Sequence, residues 1–231
     1  MWVVRQNYPK DSPHSPQNQE SRPSDEQNCS DCRRSQHAIW HEPKNGYGKP
    51  IAFDEVKYEG NLPNQWSNLS AEEMVLRFWQ WLVAGNYVGH GETYLDPHDI
   101  IWWAKGGVLH GQSPARLAFL RKIMEEGPAD GIEPIYQWQV SGIAGKVGQY
   151  YLVYFGREPV REWKFELYKA ELNDGLAFQV EVIDTWNMTV TPVEGVFVTK
   201  KKDNYVFEDR DHRVVALPGR PYMALRVQRV K

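Results

Sequence analysis

Cysteine is scarce in this chain, with two among 231 residues. Two thiols cannot build the disulfide framework of a small secreted scaffold. Long apolar runs are missing as well, and nothing approaches the ~20 consecutive apolar residues that cross a bilayer. Residues 1–10 hold only Trp2, Val3 and Val4 as an apolar patch, too short for the core of a signal peptide. With Met1 as the natural start, these absences point to a reducing, cytoplasmic setting. There is no excess of positive charge either. The formal net charge is −3, whereas a protein that grips nucleic acid through its phosphates needs a basic face. Neither nucleic acid nor membrane is therefore an expected partner. From Pro9 to His37 there is no aliphatic residue and no Phe, Trp or Tyr. Such a stretch cannot bury enough apolar surface to offset chain entropy, so residues 1–37 read as a disordered tail.

Aromatic residues are what the chain has in plenty, including 10 Trp and 12 Tyr. They build cores, and they also stack on the apolar faces of sugars and bases. From residue 38 the pattern becomes periodic. Ile51, Ala52 and Phe53 form a short apolar run ending at Asp54 and Glu55, as in strands buried on both faces. After a polar loop from Asn61 to Asn68, Ser70 and Glu73 make a capping box, with Leu69 and Met74 placed as a hydrophobic staple. Met74, Val75, Phe78, Trp79 and Leu82 recur at helical spacing, and Gly85 sits where a helix ends in a left-handed cap. Tyr87 and Val88 open a second strand toward His90 and Glu92. Ser113 and Pro114 start a second helix that Gly127 and Pro128 stop. Strand, helix, strand, helix predicts α/β structure with parallel pairing.

From about Glu133 the texture is that of β structure. Tyr150 to Phe155 reads as a strand. Asn173, Asp174 and Gly175 read as a hairpin turn between Trp163–Tyr168 and Ala177–Asp184, and Asp203-Asn204 as another between Val196–Thr199 and Tyr205–Phe207. Phe178, Val180 and Val182 alternate with polar residues, as do Met223, Leu225 and Val227, so a compact antiparallel β-sandwich is expected.

Two constellations offer chemistry. The first, Lys49 to Glu59, places carboxylates where a parallel strand ends. In a (β/α) barrel that rim carries the reacting groups, and glycoside cleavage needs two carboxyls there. A strand-end Glu is more often a solvated rim residue or a helix-pairing group. The second runs from Tyr87 to Tyr94 and from Trp102 to Gly111, and gathers His, carboxylate, indole and Gly after the second strand. It suits a sugar site, and equally a bent loop packed over the strand ends.

Lys49-Pro50 followed by apolar residues and Glu55-x-x-Tyr58-Glu59 resembles the strand-seven segment of apiosidase-like glycoside hydrolases of the clan A type. Asn61-Leu62-Pro63, the Glu72–Trp79 helix, His90-Gly91-Glu92-Thr93, Trp103…Gly106-Gly107…His110-Gly111 and the Ser113–Gly127 helix continue the likeness. Tyr150 to Gly156 and Val182 to Thr189 resemble the β-domain appended to many of these enzymes. The resemblance implies a C-terminal portion of a (β/α)8 barrel (its last two βα units) over residues 38–130, and a β-sandwich accessory domain over 131–231. It implies Glu55 as the strand-seven nucleophile or base, with Tyr58, Glu59, His90, Glu92, Trp103 and His110 around the substrate, a carbohydrate, and no cofactor. The family's second carboxylate lies on strand four, which has no counterpart here. The chain is thus expected to be a C-terminal fragment, inactive alone, with its missing barrel portion supplied by a separately encoded polypeptide. The alternative is a non-catalytic carbohydrate-binding or scaffold module.

Three patterns fit less well. Cys29, Cys32, His37 and His41 have zinc-ligand chemistry, but the middle gap is far shorter than in finger motifs, and no metal site is expected. Lys200 to Lys202 reads as a solvated hairpin tip. Tyr150, Tyr151, Tyr154, Phe155, Trp163 and Trp186 offer a sugar-binding face, though strand alternation favours packing them in the core.

Overall fold

The computed structural model describes residues 51–95, 100–101, 105, 107–135, 142–168 and 172–230. The expected tail over 1–37, the Cys29/Cys32/His37/His41 pattern and Trp103 lie outside the described residues.

Strand β1 (Ala52–Phe53) pairs in parallel with β3 (Tyr87–Val88), and helix α1 (Ala71–Val83) lies between them in sequence. A second parallel pair joins β2 (Glu59–Gly60) to β4 (Glu92–Leu95), which continues antiparallel into β5 (Ile100–Ile101). Helix α2 (Ser113–Glu125) follows. The remainder is β structure: β6 (Glu133–Pro134), β7 (Ile143–Lys146), β8 (Tyr150–Tyr154), β9 (Glu162–Lys164), β10 (Glu166–Tyr168), β11 (Ala177–Asp184), β12 (Thr189–Pro192), β13 (Phe197–Lys201), β14 (Val206–Asp209), β15 (Val214–Ala216) and β16 (Met223–Arg229). Nine of these strands form one curled antiparallel sheet in the order β10-β14-β13-β11-β16-β8-β7-β6, with β12 beside β11, while β15 pairs with β9.

This architecture corrects the expected partial (β/α)8 barrel with a β-sandwich. Strands dominate, two short helices are present among the described residues, and one antiparallel sheet curls into half a barrel. Among the described residues, parallel pairing amounts to two residue pairs in each of two places and an isolated bridge between Glu59 and Leu69. The local strand–helix–strand order is real, but the extended ladder that organises the molecule is antiparallel.

The sheet is also not one-sided. Tyr151, Val153, Phe178, Val180, Leu225 and Val227 enter a core enclosed by the curl, with Phe165, Phe197 and Val215. Tyr150, Leu152, Tyr154, Ile183 and Ala224 point to the other face, where Val75, Leu76, Trp79, Leu120 and Ile123 of the two helices cover them. Both faces of β8 are therefore buried, and its five residues read as a continuous apolar run. Tyr150, Tyr151 and Tyr154 are thus core residues rather than a sugar-binding face.

The predicted hairpin at Asp203-Asn204 is present: β13 and β14 pair antiparallel, and Asp203 accepts from the N–H groups of Tyr205 and Val206. The one at Asn173–Gly175 is not. Strand β10 pairs with β14 and β9 with β15, while β11 lies between β13 and β16. The local turn chemistry is sound, with Gly175 at φ +81°, but it delivers the chain to a distant partner.

Helix α1 starts as its cap predicts. Ser70 Oγ accepts from the Glu73 N–H at 3.2 Å, and Leu69 and Met74 are buried together. The reciprocal half of the box is absent, because the Glu73 carboxylate pairs with Arg77 and Arg157 instead. Gly85 follows the helix at φ +80°. At α2, Ser113 is the first helical residue rather than the cap. The cap position is Gln112, whose side chain makes no capping bond.

Candidate functional site

Two strand tips and the turn into α2 meet at one end of the short parallel pairs. Phe53 at the end of β1 packs on Trp81 of α1, with ring centroids 4.2 Å apart. Val56 is buried with Leu69, Met74 and Trp81, and its carbonyl accepts from Arg77 of α1 at 2.5 Å. Glu55 lies between these two anchors and is exposed. Lys57 then adopts a positive φ of 72°, which turns the chain so that Tyr58 comes back against Glu55. The Tyr58 hydroxyl donates to the Glu55 carboxylate. Burial, then that bond and the Glu55 charge, hold the phenol well above its usual range.

Glu59 and Glu92 are direct neighbours across the β2–β4 pair, and they are 1% and 2% exposed. Each carboxylate is occupied by the segment that leads into α2. Glu59 Oε1 accepts from the Gln112 N–H at 2.8 Å and the Tyr94 hydroxyl at 3.1 Å. Glu59 Oε2 accepts from the Ser113 N–H at 3.1 Å and from the Ser113 hydroxyl. The free N–H groups at a helix start need acceptors and favour negative charge. Glu59, 53 residues before the cap position Gln112, supplies what Gln112 does not. Glu92 Oε2 accepts from the N–H groups of His110 and Gly111 at 2.8 and 2.9 Å. Its other oxygen, Oε1, is buried without a hydrogen-bond partner. Burial raises the Glu92 pKa, backbone bonds from Gly111 and His110 oppose the rise, and the Glu59 charge adds to it.

His90 Nε2 lies 3.1 Å from Ser113 Oγ and 3.9 Å from Glu92 Oε1. Burial lowers its pKa, against the pull of the Glu59 charge. Gly111 is required here for space, since a Cβ at that position would overlap the Glu59 carboxylate.

Glu59, His90 and Glu92 offer three metal-ligand atoms within 4.8 Å of one another. Glu92 Oε1 is the carboxylate oxygen of the trio left without a hydrogen-bond partner. Both carboxylates already accept backbone N–H groups, and the trio sits at the positive end of a helix dipole. It is an anchor that clamps the segment from His110 to Ser113 onto the strand tips.

A groove of about 200 Å³ opens nearby, lined by Phe78, Leu82, Val88, His90, Leu109 and Leu117 among others. Glu55 is not on its wall, which adds the polar side chains of Asn86, Tyr87 and Arg121 to these.

Comparison with known proteins adds a second line of evidence. The model of a family described as a domain of unknown function, DUF5605, matches residues 138–228. No curated protein matches the chain. A crystal structure of a candidate glycoside hydrolase from Bacteroides vulgatus ATCC 8482 superposes with a TM-score of 0.74 at 38% identity, covering 80% of this chain and 37% of that one. The fold is glycoside-hydrolase-like. A further structure named glycoside hydrolase shares the fold at a TM-score of 0.50 and 14% identity, over 84% of this chain and 45% of its own. The chain thus spans 37% of the length of the first of these neighbours.

Within this glycoside-hydrolase-like fold, the candidate residues separate into two groups. Glu55 and Tyr58 form an exposed acid with its buried hydroxyl partner. Glu59, His90 and Glu92 form the buried anchor. His110 has an exposed side chain, edge-on to Tyr94 at 6.2 Å, and contributes its backbone N–H to Glu92. Ser113 and Tyr94 belong to the anchor although only their place in local motifs was visible in the sequence. Their roles depend on contacts 54 and 35 residues away, which no local spacing announces.

Proposed function

We propose that this chain supplies one of the two reacting carboxylates of a glycoside hydrolase, that Glu55 is that group, and that its partner acid comes from polypeptide beyond the described residues. One observation carries the reading: among Glu55, Glu59 and Glu92 at the described strand tips, Glu55 is the exposed one. Glu59 and Glu92 are buried and committed to backbone N–H groups, so neither reaches a sugar without dismantling the start of α2.

In a retaining reaction a Glu55 oxygen bonds to the anomeric carbon while the glycosidic oxygen leaves with a proton from the partner acid. Water, deprotonated by that partner, then releases the sugar. In an inverting reaction Glu55 takes a proton from the attacking water. A separation of about 5–5.5 Å between the two carboxyls selects the first course and about 6.5–9.5 Å the second. The Tyr58 hydroxyl orients the Glu55 carboxylate and spreads its charge until the reaction draws on it. The resemblance to apiosidase-like enzymes makes apiosides the first substrates to try.

The test is co-expression of the 231-residue chain with the part of the Bacteroides vulgatus protein that it does not cover, assayed on 4-nitrophenyl glycosides and apiosides. We expect hydrolysis by the pair, background from the chain alone, and a loss of about a thousandfold or more with Glu55→Gln. Full activity in Glu55→Gln overturns the assignment.

A further inference from the structure

We propose that the loop from residue 61 to residue 69 is a carbohydrate-binding platform, with the Trp66 indole as the face on which a sugar ring stacks beside Glu55. The proposal rests on the reading of Glu55 given above and adds to it a second subsite and a class of ligand.

Single exposed apolar side chains are ordinary on protein surfaces. Trp66, 39% exposed, is distinguished by the backbone built around it. Its carbonyl accepts from the Tyr58 N–H at 3.0 Å, and the Tyr58 carbonyl accepts in turn from the Leu69 N–H at 3.0 Å. Next to it, Ser67 is wholly buried. Its N–H donates to Asn64, and its carbonyl accepts from the Thr93 hydroxyl at 2.9 Å. At the loop's start, the Asn61 side chain exchanges two bonds with the backbone of Leu95. The loop is therefore fixed at both ends and through its middle, while the largest apolar side chain on it stays partly exposed. A rigid aromatic that pays its ordering entropy on folding binds with less further loss.

The position of the indole is informative as well. Its ring lies edge-on to Tyr58, with centroids 6.0 Å apart at 82°, and Tyr58 is the residue whose hydroxyl holds Glu55. One buried phenol thus connects the exposed acid to the exposed indole. Asn64, Gln65 and Asn68 are exposed around it and bring amide donors and acceptors of the kind that pair with sugar hydroxyls. Gly60 to Ala71 contains no charged residue, whereas Asp54 and Glu55 stand at the neighbouring strand tip. Neutral sugars suit this surface, and uronic acids are repelled by the two carboxylates. The ligand class is a neutral glycoside of at least two units, one ring at Glu55 and the next on Trp66.

The test uses the 231-residue chain labelled with 5-fluorotryptophan. The ¹⁹F resonance of position 66 is identified by its disappearance in Trp66→Phe. The probes are cellotetraose, xylotetraose and tetragalacturonate. We expect a neutral tetrasaccharide to shift the position-66 resonance selectively and the galacturonate to leave it in place. Trp66→Ala should weaken that binding about tenfold or more, Trp66→Phe less, and Glu55→Gln should retain it. Absence of any selective shift, or binding unchanged in Trp66→Ala with the other resonances in place, overturns the platform. In the co-expressed pair, Glu55-dependent hydrolysis with an unaltered KM in Trp66→Ala removes the platform and leaves the catalytic reading. Trp66-dependent binding with hydrolysis indifferent to Glu55 does the reverse.

Discussion

Replacing Glu59 by alanine is the sharpest way to separate the two neighbouring acids of the Glu55-x-x-Tyr58-Glu59 segment. Glu59 accepts four hydrogen bonds, two from backbone N–H groups at the start of α2 and two from the hydroxyls of Tyr94 and Ser113. Loss of an ordinary helix cap costs about 0.5–2 kcal/mol. Here the acceptor is almost wholly inside the protein, and a buried donor left without an acceptor costs about 1–3 kcal/mol. Water entering the space and rearrangement of the hydroxyls recover part of this. We expect Glu59→Ala to lose about 3–5 kcal/mol, at the upper end of single substitutions and a large share of the 5–15 kcal/mol that holds a typical domain together. Glu59→Gln keeps one acceptor oxygen but turns an amide N–H₂ toward other donors, so about 2 kcal/mol is expected. Glu55→Gln, on the surface, should change stability by less than about 0.5 kcal/mol. Urea unfolding followed by far-ultraviolet circular dichroism gives the three values, and amide exchange at Gln112 and Ser113 reports the cap directly. A loss below about 1 kcal/mol in Glu59→Ala refutes the tertiary cap.

Two further perturbations address the same anchor. Burial raises the Glu92 pKa above that of a free glutamate side chain, so the folded state holds this proton more tightly than the unfolded chain. The contribution is therefore fully present below about pH 4.5 and is lost as pH rises through the folded-state pKa. Glu92→Gln, which keeps an acceptor for the His110 and Gly111 N–H groups, should flatten that slope in urea midpoints measured from pH 4.5 to 8; an unchanged slope places the titration elsewhere. Gly111→Ala drives a methyl group into the Glu59 carboxylate and should cost about 1–3 kcal/mol. Its wild-type-like unfolding midpoint would mean that the loop approaches Glu59 less closely than described.

Much of the local structure was legible in the residues. The Ser70 cap, the Leu69–Met74 staple, the left-handed Gly85 and the Asp203 turn depend on side chains within a few positions of one another, and each forms as its chemistry predicts. The apolar run at Tyr150–Tyr154 was legible as a strand, yet not as a strand covered on both faces. Whether a face meets helix or water depends on elements far along the chain, such as Trp79 on Tyr154 at 5.3 Å. The same limit applies to the hairpin expected at Asn173–Gly175: a turn motif reverses the chain but does not choose the strand that receives it.

The candidate site divides along the same line. Glu55, Tyr58, Glu59, His90 and Glu92 were nominated from sequence as candidates, because carboxylates and imidazole at strand ends are chemically distinct. Which acid faces solvent and which is locked was decided by tertiary structure. Glu59 is consumed by N–H groups that reach it only when α2 docks, and Glu55 stays available because its neighbour Val56 takes the buried position. Side-chain chemistry is a property of the residue, but exposure and partnership belong to the packed chain, where long-range contacts settle which polar groups must satisfy one another.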